Sequence, residues 1–94
     1  MRRLSHAKRR DANEPPIVQA LQAIGCHVIR LDTPCDLLVV TRGRLVALEV
    51  KLPGPPSAQR LTEIEAAFAR QCEVHEAPWY VVTSPAEAIA AVRH

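Results

Sequence analysis

Ninety-four residues with 12 Lys and Arg against 10 Asp and Glu, 48% hydrophobic but only 3% aromatic, fit one small domain whose core comes from aliphatic side chains and alanine. No apolar run approaches the roughly 20 residues of a membrane span, and the basic start MRRLSHAKRR lacks the apolar stretch of a secretory signal, so a cytoplasmic or otherwise intracellular protein is expected. Three cysteines, Cys26, Cys35 and Cys72, make an odd number with no CxxC spacing, which argues against a zinc knuckle and for free thiols.

The net charge of +2 is unevenly spread. Arg2, Arg3, Lys8, Arg9 and Arg10 fall in the first ten residues with no acidic partner, while the remainder is slightly acidic. Residues 1–11 are expected to be a basic flexible tail, able to follow phosphates or simply to solubilise. Residues 12–94 are expected to form the domain. NEPPIVQALQAIG predicts a helix, with Asn13 as its cap, prolines in its first turn, Ile17, Leu21 and Ile24 on one face, and Gly25 ending it. CHVIRL (26–31) reads as a strand and DTP (32–34) as a turn. CDLLVV (35–40) and LVALEVK (45–51) read as an antiparallel hairpin around TRGR, with Gly43 free to take positive φ. LPGPP (52–56) must be a loop. A second helix over 62–72 has Thr62 and Glu65 in capping-box spacing and Ile64, Ala67, Phe68 and Gln71 on one side. A fourth strand lies near 79–83, and a closing helix starts at Ser84, with Pro85 at N1 and Glu87 at N3. The order is α-β-β-β-α-β-α, a mixed sheet flanked by helices.

Side chains alternate along a strand, so Glu49 and Lys51 share a face about 7 Å apart. Asp36 begins the neighbouring strand. Counted outward from the turn, it falls opposite residue 49 or 50, and a one-residue slip exchanges the two. Two converging carboxylates repel unless a cation intervenes. A hard divalent ion accepts one or two carboxylates while keeping its waters, and serves phosphodiester hydrolysis as a Lewis acid. The same residues admit a plainer reading. Glu49 and Lys51 would then be a same-face ion pair, worth under about 1 kcal/mol if exposed, and Asp36 a turn residue.

At these positions the sequence resembles the PD-(D/E)xK nuclease superfamily, and within it the VRR-NUC (virus-type replication-repair nuclease) branch. CDLLVV is similar to that family's strand with the metal-binding aspartate, and GRLVALEVK to its most diagnostic segment. NEPPIVQALQAIGCHVIRL resembles its opening helix and strand, PPSAQRLTEIEAAF its following loop and helix, and PWYVVTSPAEAIAAV its last strand and helix. The likeness spans about residues 12–93. It implies a minimal restriction-endonuclease-like core and a DNA endonuclease using Mg²⁺ or Mn²⁺, with a preference for branched or junction DNA and a homodimeric form. Asp36, Glu49 and the Val50 carbonyl would hold the ion, Glu14 would complete the site directly or through water, and Lys51 would position the hydrolytic water. The product would carry a 5′-phosphate and leave a 3′-hydroxyl. One departure is Cys35, where family members commonly have proline before the aspartate; it is read as a packing residue. Arg9, Arg10, Gln59 and Arg60 are candidate phosphate contacts, Thr62 and Glu65 are read as caps, and Trp79 as a core or interface residue. The alternative is a protein of the same fold that binds DNA, or assists a partner, without cutting.

Overall fold

The computed structural model describes residues 11–94. Its elements are α1 (Glu14–Ala23), β1 (His27–Arg30), β2 (Leu37–Thr41), β3 (Arg44–Val50), a 3₁₀ turn (Pro56–Gln59), α2 (Glu63–Val74), β4 (Trp79–Val82) and α3 (Pro85–Arg93). Among the described residues no helix is long and apolar enough to cross a membrane.

The sheet runs β1-β2-β3-β4, antiparallel except for the parallel pair β3–β4. A parallel neighbour cannot be reached by a hairpin, and α2 provides the crossover. The β2–β3 turn sets the register. Arg42 and Gly43 both take positive φ, 50° and 78°, as the favoured two-residue hairpin turn requires. Expectation placed only the glycine there. The pairing that follows sets Val39 against Val46 and Leu37 against Leu48.

Paired residues share a face. Leu37, Val39, Val46, Leu48 and Val50 form the core face, covered by Ile17, Val18 and Leu21 of α1 and by Ala88, Ala91 and Val92 of α3. The other face carries Leu38, Ala47, Glu49 and Trp79 in register positions that alternate with the core. Here α2 packs, with Cys72 and Trp79 lining a common cavity. All three cysteines are buried and none is in a disulfide.

Three local readings change. Asn13 occupies the cap position of α1 but makes no side-chain cap bond. The first turn needs none. Pro15 and Pro16 have no N–H, Glu14 donates to the Asp11 carbonyl at 3.0 Å, and Ile17 donates to the Asn13 carbonyl at 3.4 Å. The Asn13 amide is therefore spent elsewhere, on the carbonyls of Lys51 and Thr83. At the other end Gly25 is left-handed as expected. Its N–H and that of Cys26 close onto Gln22 and Leu21, which is the Schellman pattern; it leaves Ile24 at the exposed cap position, and Val18 takes its place in the core.

The third change concerns α2. Its buried positions are Glu65 and Cys72, with Phe68 and Ala69 half-buried between them, while Ile64, Ala67 and Gln71 face outward. The inward stripe lies one residue on from the apolar one read from the sequence. The Thr62–Glu65 capping box is present as expected, but the same glutamate is also drawn inward by Lys51. That ion pair sets the rotation of the helix and leaves Ile64 in solvent.

Candidate metal centre

The β2–β3 ladder ends at Leu37–Leu48, and its register continued by one residue sets Asp36 opposite Glu49 on the α2 face. Asp36 precedes the strand proper. Its Oδ2 accepts the N–H of Val50 at 2.7 Å and so replaces the strand that has ended there. Alternate β3 residues turn their N–H groups toward β4: Ala47 donates to Pro78 and Lys51 to Val82. The Val50 backbone therefore faces the Asp36 side, carbonyl included. Both acids are almost wholly buried, Asp36 at 4% and Glu49 at 1% exposure.

Lys51 stands two residues on. Its Nζ lies 2.9 Å from Glu65 Oε1 and 3.9 Å from Glu49 Oε2. Glu65 thus belongs to the cluster as well as to the helix cap, with Oε1 also accepting the Thr62 N–H at 2.9 Å. Reading it as a cap alone missed this. The capping-box spacing gives the cap, and the pairing with Lys51, 14 residues away, comes only with the fold.

Burial is the main force on Glu49 and pushes its carboxyl up to about 9, aided by hydrogen bonding to Asp36 and Glu65 and by repulsion from both. It is the neutral, proton-donating member of the group. For Glu65, burial alone would raise the pKa. The Thr62 N–H, the Lys51 ammonium and the proton donated by Glu49 outweigh burial and hold the carboxyl below its ordinary value. Glu49 Oε1 is buried with no hydrogen-bond partner. A buried, unpaired carboxyl oxygen is costly, and beside a second carboxylate it is a position that a cation would satisfy. Asp36 and Glu49 thus fit the one or two carboxylates that Mg²⁺ or Mn²⁺ takes while keeping its waters. Among the described residues no group of three or more His, Cys, Asp and Glu side chains is arranged to hold a metal ion.

The other expected site residues are placed as follows. Glu14 is buried in the first turn of α1, with Arg30 of β1 reaching its Oε2 at 3.4 Å. Cys35 is buried and its thiol points to the Leu37 carbonyl. Gln59 ends the 3₁₀ turn and faces a cavity beside β4 and α3, and Arg60 follows it, exposed. Trp79 is half-buried. Arg9 and Arg10 lie outside the described residues. The chain matches no protein-family profile, no curated protein and no solved structure.

Proposed function

We propose that the protein is a divalent-metal-dependent DNA endonuclease of the minimal PD-(D/E)xK type, VRR-NUC branch. One observation carries this reading: two buried carboxyls, Asp36 just before β2 and Glu49 on β3, interact while one Glu49 oxygen has no hydrogen-bond partner, and Lys51 follows two residues later. The plainer reading of Glu49 and Lys51 as a same-face ion pair keeps a 3.9 Å contact, but Glu49 is buried and the closer partner of Lys51 is Glu65.

Asp36, Glu49 and the Val50 carbonyl would hold Mg²⁺ or Mn²⁺, with Glu14 adding a contact directly or through water. When bound, the ion supplies a Lewis acid that polarises a phosphoryl oxygen and lowers the pKa of water. The chain's own part is positioning. Lys51 orients the attacking water and offsets the charge that builds on the phosphorus oxygens. Glu65 holds the Lys51 ammonium in place, and the Asn13 amide anchors the Lys51 main chain through its carbonyl at 2.9 Å. Water oxygen bonds to phosphorus as the bond to the 3′ oxygen breaks, giving a 5′-phosphate and a 3′-hydroxyl. So few residues give a small grip on a duplex, and a homodimer presenting two such sites suits branched DNA.

The test is cleavage of branched, single-stranded and duplex DNA in Mg²⁺, in Mn²⁺ and in EDTA. Metal-dependent cleavage should fall by about 100-fold or more in Asp36→Ala and in Lys51→Ala, the scale on which loss of one preorganised charge is felt. DNA bound without cleavage in either metal would leave the protein a binder.

A further inference from the structure

A cavity of about 420 Å³ along β4 and α3 is not used by the cleavage chemistry. Gln59, Tyr80, Thr83, Glu87, Ala90 and His94 line it. β4 is the last strand of the sheet, so the cavity lies against a free edge. It is also fixed to the candidate centre. A single Asn13 amide nitrogen donates to both the Lys51 carbonyl, at 2.9 Å, and the Thr83 carbonyl, at 3.0 Å, and Lys51 donates its own N–H to Val82. Thr83, in the wall of the cavity, therefore stands one strand away from the Lys51 main chain.

The lining selects the chemistry of the occupant. It holds no lysine and no arginine, and its one carboxylate, on Glu87, already accepts from the Thr83 N–H at 2.7 Å and the Thr83 hydroxyl at 2.9 Å. Such a wall offers phosphate no lysine or arginine to pair with. Tyr80 and His94 meet edge to face with ring centroids 6.1 Å apart, which gives two aromatic surfaces. Gln59, set by the prolines that start the 3₁₀ turn, offers an amide with both donor and acceptor. A flat, neutral, hydrogen-bonding group suits all of these, and a cavity of this volume is of ligand size.

We infer that this cavity is a nucleoside subsite that takes the base and sugar of an unpaired nucleotide next to the scissile phosphate. The inference rests on the nuclease reading for its substrate and goes beyond it in naming which part of the strand binds where. The base stacks on the Tyr80 ring, to which the His94 ring stands at 88°, and Gln59 reads the base edge. A base can enter only when it is out of its duplex stack, at a cost of a few kcal/mol that an unpaired nucleotide does not incur. The subsite therefore favours single-stranded, flap or branch-point positions over intact duplex.

The experiment uses the full chain in EDTA and a single-stranded DNA oligonucleotide carrying one 2-aminopurine, whose fluorescence reports stacking. Saturable quenching is expected. Ala90→Trp, which fills the cavity, should abolish it, and Gln59→Ala should weaken binding by up to about tenfold, the upper end of what one hydrogen bond contributes. Thermal melting establishes that Ala90→Trp is folded; if it is not, Gln59→Ala carries the test. No quenching with the wild-type chain, or equal quenching in a folded Ala90→Trp and in Gln59→Ala, overturns the subsite. Cleavage assays in Mg²⁺ separate the two readings. Quenching that follows the variants without any metal-dependent cleavage leaves the subsite standing and removes the nuclease. Metal-dependent cleavage that Ala90→Trp and Gln59→Ala leave unchanged does the reverse.

Discussion

Leu48 and Glu49 are neighbours on β3 and equally buried, at 0% and 1% exposure, yet they stand on opposite sides of the energy balance. Leu48 faces α1 and α3, where every contact is apolar and burial is favourable throughout. Glu49 faces α2, where burial drives its carboxyl to keep a proton and leaves one oxygen unpaired. One side of the strand holds the fold together. The other is held in place by it, and a costly arrangement kept inside a well-packed frame is what the proposed site requires.

The largest effect should come from breaking the favourable side. Leu48→Ala should cost about 2–5 kcal/mol of stability, because it removes a fully buried side chain and leaves a cavity. Denaturant unfolding measures this; a loss under about 1 kcal/mol would mean that the α1/α3 face is not the closed core described above.

A smaller and opposite effect should appear on the other side. In the unfolded chain Glu49 titrates near 4.5, and in the metal-free fold near 9. Between those values the folded state holds a proton that the unfolded state has released. The contribution of Glu49 to stability is thus fully present below about 4.5 and is lost as pH rises toward about 9, with a slope of at most about 1.4 kcal/mol per pH unit for one proton. Glu49→Gln should flatten that slope and raise stability at pH 8. Mn²⁺, which displaces the proton, should raise the melting temperature of the wild-type chain more at pH 8 than at pH 5.5. A wild-type profile as flat as that of Glu49→Gln would place the carboxyl in a less costly setting.

The hairpin explains why one side was legible in the sequence and the other only in part. Alternation in LLVV and LVALEV assigns Leu37, Val39, Val46 and Leu48 to a common face, and a two-residue turn at Arg42–Gly43 fixes the register, so Asp36 against Glu49 follows once that turn is known. Whether Asp36 met residue 49 or 50 turned on the backbone of Arg42, which composition does not reveal. The rotation of α2 was hidden for a different reason. Ile64 is the more hydrophobic choice for an inward position, but Glu65 has a half-buried cation to meet in Lys51 and an N–H to cap in Thr62. Long-range pairing overrode local amphipathicity. The work of Asn13 was invisible in the same way, since its partners lie 38 and 70 residues away.

The smallest expected effect separates the two tasks of Glu65. Its Oε1 takes both the Thr62 N–H and the Lys51 ammonium. Glu65→Gln keeps an acceptor for the cap and removes the charge, whereas Glu65→Ala removes both. If the cap carries most of the stability, Glu65→Gln should cost only a few tenths of a kcal/mol and Glu65→Ala about 1 kcal/mol, the usual worth of a helix cap. Under the nuclease reading both substitutions should nonetheless slow cleavage, because either one releases the Lys51 ammonium from its anchor. Urea midpoints and cleavage rates measured on the same two variants decide it. Equal stability losses would assign the holding of α2 to the ion pair, and unchanged cleavage in both would reduce Glu65 to a cap.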